Sequence, residues 1–261
     1  MPPRALKPVG VALVDKPAGP SSFALVGALR RRTGARTGHA GTLDPFATGL
    51  LVLLSGAATR LAPCFVGLDK RYVTDVDLTS TTSTGDPEGA PLETHAAPSR
   101  AELDASLERL RGEIELPVPA ASAVKIGGER AYRLARRGLE VDMPLRRSQV
   151  YALDVIAYTG DSVRLSLHVG SGTYVRALAI ALGGHCTSLR RTAVGPFTVD
   201  EAMPFGPGGT GGGDRADDEL PELLPVNEAL GRLPAEAVAR VPQAVVAGVL
   251  ALANGSGGEA A

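Results

Sequence analysis

The chain has 261 residues, 27 Lys and Arg against 28 Asp and Glu, a formal net charge of −1, and 44% hydrophobic residues. That hydrophobic share can bury a sizeable core and excludes disorder of the whole chain, which needs low hydrophobicity and high net charge. The near-zero total argues against a strong nucleic-acid binder, which usually shows a basic excess.

In chain order, Gly10-Val11-Ala12-Leu13-Val14 reads as a short buried strand ended by Asp15-Lys16-Pro17. Ser21 or Ser22 can cap a helix that runs through Arg31, with Leu25, Val26 and Leu29 on one face. Leu50 to Leu54 is a continuous apolar run of buried-strand length, and Arg71 to Leu78 alternates as a strand does. Ser99-Arg100-Ala101-Glu102 is a capping box opening a helix that Gly112 closes. Val150 to Tyr158 and Val163 to Val169 read as strands joined by a turn at Thr159-Gly160-Asp161. Thr173 to Leu182 reads as a helix. Helices and strands mix without regular βα alternation, which favours an α+β fold with a largely antiparallel sheet.

Pro204 to Gly213 breaks the composition and is the linker candidate. Gly206, Gly208 and Gly211 sit at GxGxxG spacing there, but Pro207 interrupts and acidic residues follow, so a dinucleotide site is not expected. No Lys follows a Gly, which removes a phosphate-binding P-loop. Two cysteines, Cys64 and Cys186, make no disulfide framework, and four scattered histidines with no CxxC pair do not suggest structural zinc. The N-terminus lacks a signal-peptide pattern, and the longest apolar stretch, Ala244 to Ala253, is half a membrane span. A soluble, cytoplasmic, metal-free protein is expected.

Charge by region tells more than the total. Residues 1–72, 73–122, 123–197 and 198–261 carry net charges of +7, −7, +6 and −7. The two basic blocks would make one positive face if the fold brings them together; mixing of charges over the surface is the alternative.

The first basic block holds only three acids, Asp15, Asp44 and Asp69. Asp44 lies in Gly38-His39-Ala40-Gly41-Thr42-Leu43-Asp44-Pro45-Phe46-Ala47-Thr48-Gly49-Leu50-Leu51, a Gly-rich loop running into an apolar strand. Such a loop lets backbone approach a ligand closely, although Asp before Pro is also an ordinary turn starter. This run resembles the catalytic signature of the bacterial TruB-type tRNA pseudouridine synthases. Further blocks resemble that family in the same order: Gly10 to Pro17 with Ser21-Ser22, Asp69-Lys70-Arg71-Tyr72, Thr84 to Gly89, Ser122 to Lys125 with Gly128, Ala131 and Tyr132, Ser171 to Arg176, and Leu189 to Gly195. The resemblance spans about residues 9–203.

It implies a pseudouridine synthase fold with flanking helices and a central active-site cleft, and isomerisation of uridine to pseudouridine at position 55 in the T loop of tRNA. No cofactor is implied, the partner is the T arm of tRNA, and a monomer is expected. By resemblance Asp44 is the essential carboxylate and Arg176 pairs with it and orients it. Tyr72 packs on the uracil, Tyr174 contacts substrate and Leu189 forms an apolar wall. His39 takes the place of the flipped base, and Lys16 contacts phosphate or braces the site. Arg30, Arg31, Arg32, Arg36, Lys125, Arg130, Arg133, Arg136, Arg137, Arg190 and Arg191 are candidate phosphate contacts.

Three departures from the family pattern stand out. Ala120-Ala121 precede Ser122 where the family usually has an aromatic, the spacer Ala177 to Ser188 is short, and the C-terminal part does not read as the PUA-type RNA-binding module of many members. The expected organisation is a catalytic domain over 1–203, a Gly/Pro-rich and acidic linker over 204–219, and a short tail over 220–261 that is mainly solvated. Removal of the chain from Gly206 onward is then expected to leave measurable activity. The alternatives are an RNA-binding or tRNA-folding protein that uses the same groove without turnover, and an Asp-dependent hydrolase that releases the base.

Overall fold

Val11, Ala12 and Val14 are fully buried, as the apolar run predicts, and they form the centre of strand β1 (Gly10–Lys16). The structure is a computed structural model that describes residues 7–122, 124–131, 142–207 and 220–255. It divides into two compact units, Met1–Lys70 with Arg190–Ala261, and Arg71–Leu189.

In the first unit, Ser21 caps helix α1 (Ser22–Thr33) by accepting from the amide of Ala24, and Gly34, at φ 63°, ends it in the left-handed conformation. Strand β2 (Thr37–His39) and strand β3 (Thr48–Ser55) follow. A 3-10 turn at Gly56–Leu61 leads into helix α2 (Ala62–Val66), and strand β4 (Lys70–Asp77) carries the chain into the second unit. There the chain forms β5 (Ser80–Thr82), β6 (Pro91–Thr94), helix α3 (Arg100–Arg109), β7 (Gly112–Pro117), β8 (Lys125–Ile126), β9 (Glu129–Arg130), β10 (Leu145–Tyr158), β11 (Ser162–Val169) and helix α4 (Val175–Ala181). Strand β12 (His185–Val194) returns to the first unit. It is followed by β13 (Phe197–Thr198), β14 (Met203–Pro204), β15 (Leu223–Leu224), and helices α5 (Val226–Gly231), α6 (Ala235–Val238) and α7 (Gln243–Gly255).

Within the first unit β1 pairs antiparallel with β3 and β15 and parallel with β14. Strand β2 pairs antiparallel with β3, and the end of β12 pairs parallel with it through Arg190–Thr48 and Arg191–Gly49. Within the second unit β10 lies antiparallel between β11 and β7, with two bulges in its pairing to β11. The fold is α+β with mixed, largely antiparallel pairing and flanking helices.

The Ser99 capping box forms as its sequence indicates, but α3 caps at Leu110, and Gly112 instead begins a strand at φ 79°. Strand β10 starts five residues before the expected Val150, because its first six residues find a partner in β7. Strand pairing, which no local signal carries, set that boundary. The Leu189 to Gly195 block, given no element from sequence, lies largely in β12 for the same reason.

The tail corrects an expectation. It is not a solvated appendage: Val226, Ala229, Leu230, Leu233, Ala237, Val241 and Val249 join the same buried cluster as Val11, Leu13, Leu50, Val52 and Leu54. Arg232 fastens it, with its guanidinium 2.6 Å from Glu201 Oε1, donating to Pro196 O at 3.0 Å, and 4.4 Å from the Phe197 ring centre. The net charge of this region hid the apolar face that helices α5, α6 and α7 present. The linker candidate is described only to Pro207, so the GxGxxG spacing lies largely outside the described residues. Among the described residues no helix is long and apolar enough to cross a membrane.

Candidate active site

The loop carrying Asp44 belongs to the first unit, between β2 and β3. Its amides and carbonyls are held from three directions. Ser22 Oγ, at the start of α1, accepts from Leu43 N at 2.8 Å and donates to Leu43 O at 2.9 Å. Lys16 Nζ donates to Pro17 O at 2.8 Å, Pro45 O at 3.0 Å and Ala47 O at 2.6 Å. Arg191 donates from Nε to Leu50 O at 2.7 Å, from Nη1 to Thr42 O at 3.3 Å, and from Nη2 to Gly41 O at 3.2 Å. The main chain is thus gripped on both sides of Asp44, whose own residue stays half-buried. Burial of these donors strengthens each bond, since water cannot compete for the carbonyls.

Lys16 is fully buried. Its bonds to the loop carbonyls fit the second of its two expected roles, that of a brace. Arg191 is 1% exposed and bonds backbone, which corrects its expected role as a phosphate contact. Arg190 points the other way and forms an ion pair with Asp15, 2.7 Å from Oδ2. His39, at the end of β2, is half-buried, and its Nδ1 has no hydrogen-bond partner among the described residues. Burial first, and then the charge of Arg191, holds its pKa below the ordinary histidine value. The same charge acts on buried Lys70. Its pKa is lowered to about 8 by burial first, then by Arg191, with Asp69 opposing and Arg240 adding. Lys70 Nζ donates to Val66 O at 2.7 Å and to Leu68 O.

The second unit positions Arg176 on α4, 2% exposed. Its Nη1 lies 3.2 Å from Asp86 Oδ2 and donates to Thr84 O at 2.7 Å, while Nη2 donates to Ala121 O at 2.8 Å. Asp86 is itself buried, and its Oδ1 accepts from Thr84 Oγ1 at 2.6 Å and Glu88 N at 3.0 Å. The turn depends on Gly85, at φ 71°, where a Cβ would come within 2.7 Å of Ile180 Cδ1 on α4. Sequence reading missed Asp86 as a partner for Arg176. Its one signal was a place in an acidic turn of the resemblance.

Tyr72 and Leu189 are buried, on β4 and β12. Tyr174 caps α4 and is half-buried, with the guanidinium of Arg146, a residue not singled out from sequence, 5.9 Å from its ring centre. Arg30, Arg31 and Arg36 are exposed, and Arg32 lies 5.0 Å from the ring centre of Phe205. Lys125 lies in β8 and Arg130 in β9, with their side chains outside the described residues, as are Arg133, Arg136 and Arg137. Asp44 with His39, Lys16 and Arg190 therefore stands in one unit, and Arg176 with Tyr72, Tyr174 and Leu189 in the other.

Comparison with known proteins identifies the family. Residues 30–175 match the model of the TruB family pseudouridylate synthase N-terminal domain. The chain is 42% identical over 241 residues to a tRNA pseudouridine synthase B of Aromatoleum aromaticum, covering 86% of this chain and 75% of that protein. It is 43% identical over 209 residues to one from Mycobacterium sp. (strain KMS), covering 75% and 70%. A crystal structure of a Cbf5-Nop10-Gar1 complex is similar with a TM-score of 0.55 and 31% identity, over 74% of this chain and 50% of that one.

Proposed function

The chain belongs to the TruB family of pseudouridylate synthases, and we propose that it isomerises the uridine at position 55 in the T loop of tRNA, with Asp44 as the essential carboxylate. The enzyme class follows from the family, and tRNA as substrate from the relatives. The observation that carries the reading is the loop itself. Main-chain contacts at residues 41–43, 45 and 47 hold a half-buried aspartate in place from buried donors. Fixing the reacting group before substrate arrives lowers the entropic part of the barrier.

Uridine and pseudouridine contain the same atoms. The N1–C1′ bond breaks, the uracil turns over, a C5–C1′ bond forms, C5 loses its proton and N1 gains one. The balance transfers no net electrons and needs no co-reactant. A carboxylate suits the work because it is ionised near neutral pH and can serve as nucleophile or base. Arg176 pairs with Asp44 and holds its charge. Tyr72 covers the uracil face, Leu189 closes the pocket with an apolar wall, and Tyr174 contacts substrate. A neutral His39 occupies the space of the extruded base and offsets part of the few kcal/mol that extrusion costs. The exposed Arg30, Arg31 and Arg36, with Lys125 and Arg190, bind phosphates. The catalytic domain of residues 1–203 takes in the packed helices of the tail, and the enzyme acts as a monomer without metal.

The test uses T-arm RNA carrying tritium at uridine C5. The wild type releases tritium while the RNA keeps its base. Asp44→Ala is expected to abolish release and to keep RNA affinity within a few-fold. Retained turnover in that variant refutes the assignment. Binding without release by the wild type would instead identify an RNA-folding protein, and an abasic product a hydrolase.

A further inference from the structure

Arg191 is a fully buried guanidinium whose hydrogen bonds all go to main-chain carbonyls, Gly41 O, Thr42 O and Leu50 O. Among the described residues no carboxylate pairs with it. A buried cation so placed costs stability unless its donors are well satisfied, so this arrangement calls for a purpose. Two glycines with positive φ flank it, and at one of them a side chain would collide with its main chain. Gly49, at φ 102°, faces Arg191 across the β3–β12 pairing, and a Cβ there would come within 2.2 Å of Arg191 O. Gly41, at φ 105°, a conformation L side chains rarely adopt, turns its carbonyl to accept from Nη2 of Arg191. One planar fork therefore ties the start of the Asp44 loop to the strand that follows it. Lysine cannot reproduce this, since a single ammonium lacks the fixed fork.

We propose that Arg191 is a positioning residue for Asp44, setting the loop through the carbonyls of Gly41 and Thr42, and that it touches no phosphate of the RNA. The proposal rests on the reading of Asp44 as the essential carboxylate. It places the effect of Arg191 on the chemical step and not on RNA affinity.

The experiment compares wild type, Arg191→Lys and Asp44→Ala on T-arm RNA labelled with tritium at uridine C5. Single-turnover release at saturating RNA is measured beside Kd and its salt dependence, well below each variant's Tm. Arg191→Lys is expected to slow release at least tenfold, with Kd within threefold and an unchanged slope of log Kd against log salt. An unchanged rate, or a weaker Kd with the saturated rate intact, overturns the proposal. Phenylglyoxal labelling of the wild type, mapped by mass spectrometry, keeps the proposal exposed if Arg191→Lys does not fold. Arg191 should stay unlabelled with and without RNA, and labelling that RNA blocks would overturn it. Turnover by Asp44→Ala would refute the functional reading separately.

Discussion

Arg176 and Arg191 are equally hidden from water, at 2% and 1% exposure, yet their surroundings differ. Arg176 in the second unit has a buried carboxylate beside it, Asp86. Arg191 in the first unit has carbonyls. An ion pair fixes a side chain, while a fork on carbonyls fixes a main chain. The difference matches the proposed tasks: Arg176 must present its own charge, whereas Arg191 must aim a loop that carries someone else's.

The first unit should respond most to loss of its tail. Deleting residues 220–261 strips Val226, Leu230, Leu233, Val241 and Val249 from its core. Full burial of each such side chain stabilises by about 1.5–3 kcal/mol, so the loss approaches a whole domain stability of about 5–15 kcal/mol. Hydrogen exchange at Val11–Val14 should lose protection, and activity should go with it, contrary to what the acidic composition of the tail implies. Persistent protection would show that the tail contributes little.

In the second unit Asp86→Ala should cost about 3–5 kcal/mol, because the buried charge of Arg176 loses its carboxylate neighbour. Chemical denaturation followed by probes within residues 71–189 measures this. A change under about 1 kcal/mol would mean that Arg176 is held by its other contacts, and the contrast between the two arginines would weaken.

The smallest effect is a pH dependence confined to the first unit. Lys70 has a folded pKa of about 8 against an ordinary 10.5. Between these values the unfolded chain binds more protons, so stability rises with pH across the window and the burden of the buried charge is fully present below it. Relative to Lys70→Met, the wild type should gain up to about 3 kcal/mol from pH 8 to 10.5. A flat difference would show that Lys70 is solvated.

Much of the fold was legible locally. The apolar runs of β1 and β3, the Ser21 cap of α1 and the Ser99 capping box are local patterns, and the structure realises each. The ordered motifs around Asp44, Tyr72 and Arg176 were enough to indicate the family. Local patterns could not give the start of β10, which its pairing with β7 decides. Nor could they show that the helices of the tail cover a core formed two hundred residues earlier.

The amino-acid sequence by itself determined several of the elements, the family and which aspartate to suspect, because periodicity, caps and ordered motifs are written along the chain. Only the tertiary structure decided which partners each cation has. Lys16 read as a phosphate contact or a brace, and Arg190 and Arg191 as candidate phosphate contacts; Lys16 and Arg191 donate to carbonyls of the Asp44 loop, and Arg190 pairs with Asp15 on the half-exposed side. A charge becomes a brace or a contact according to its burial and its partners, and those come from residues distant in the chain.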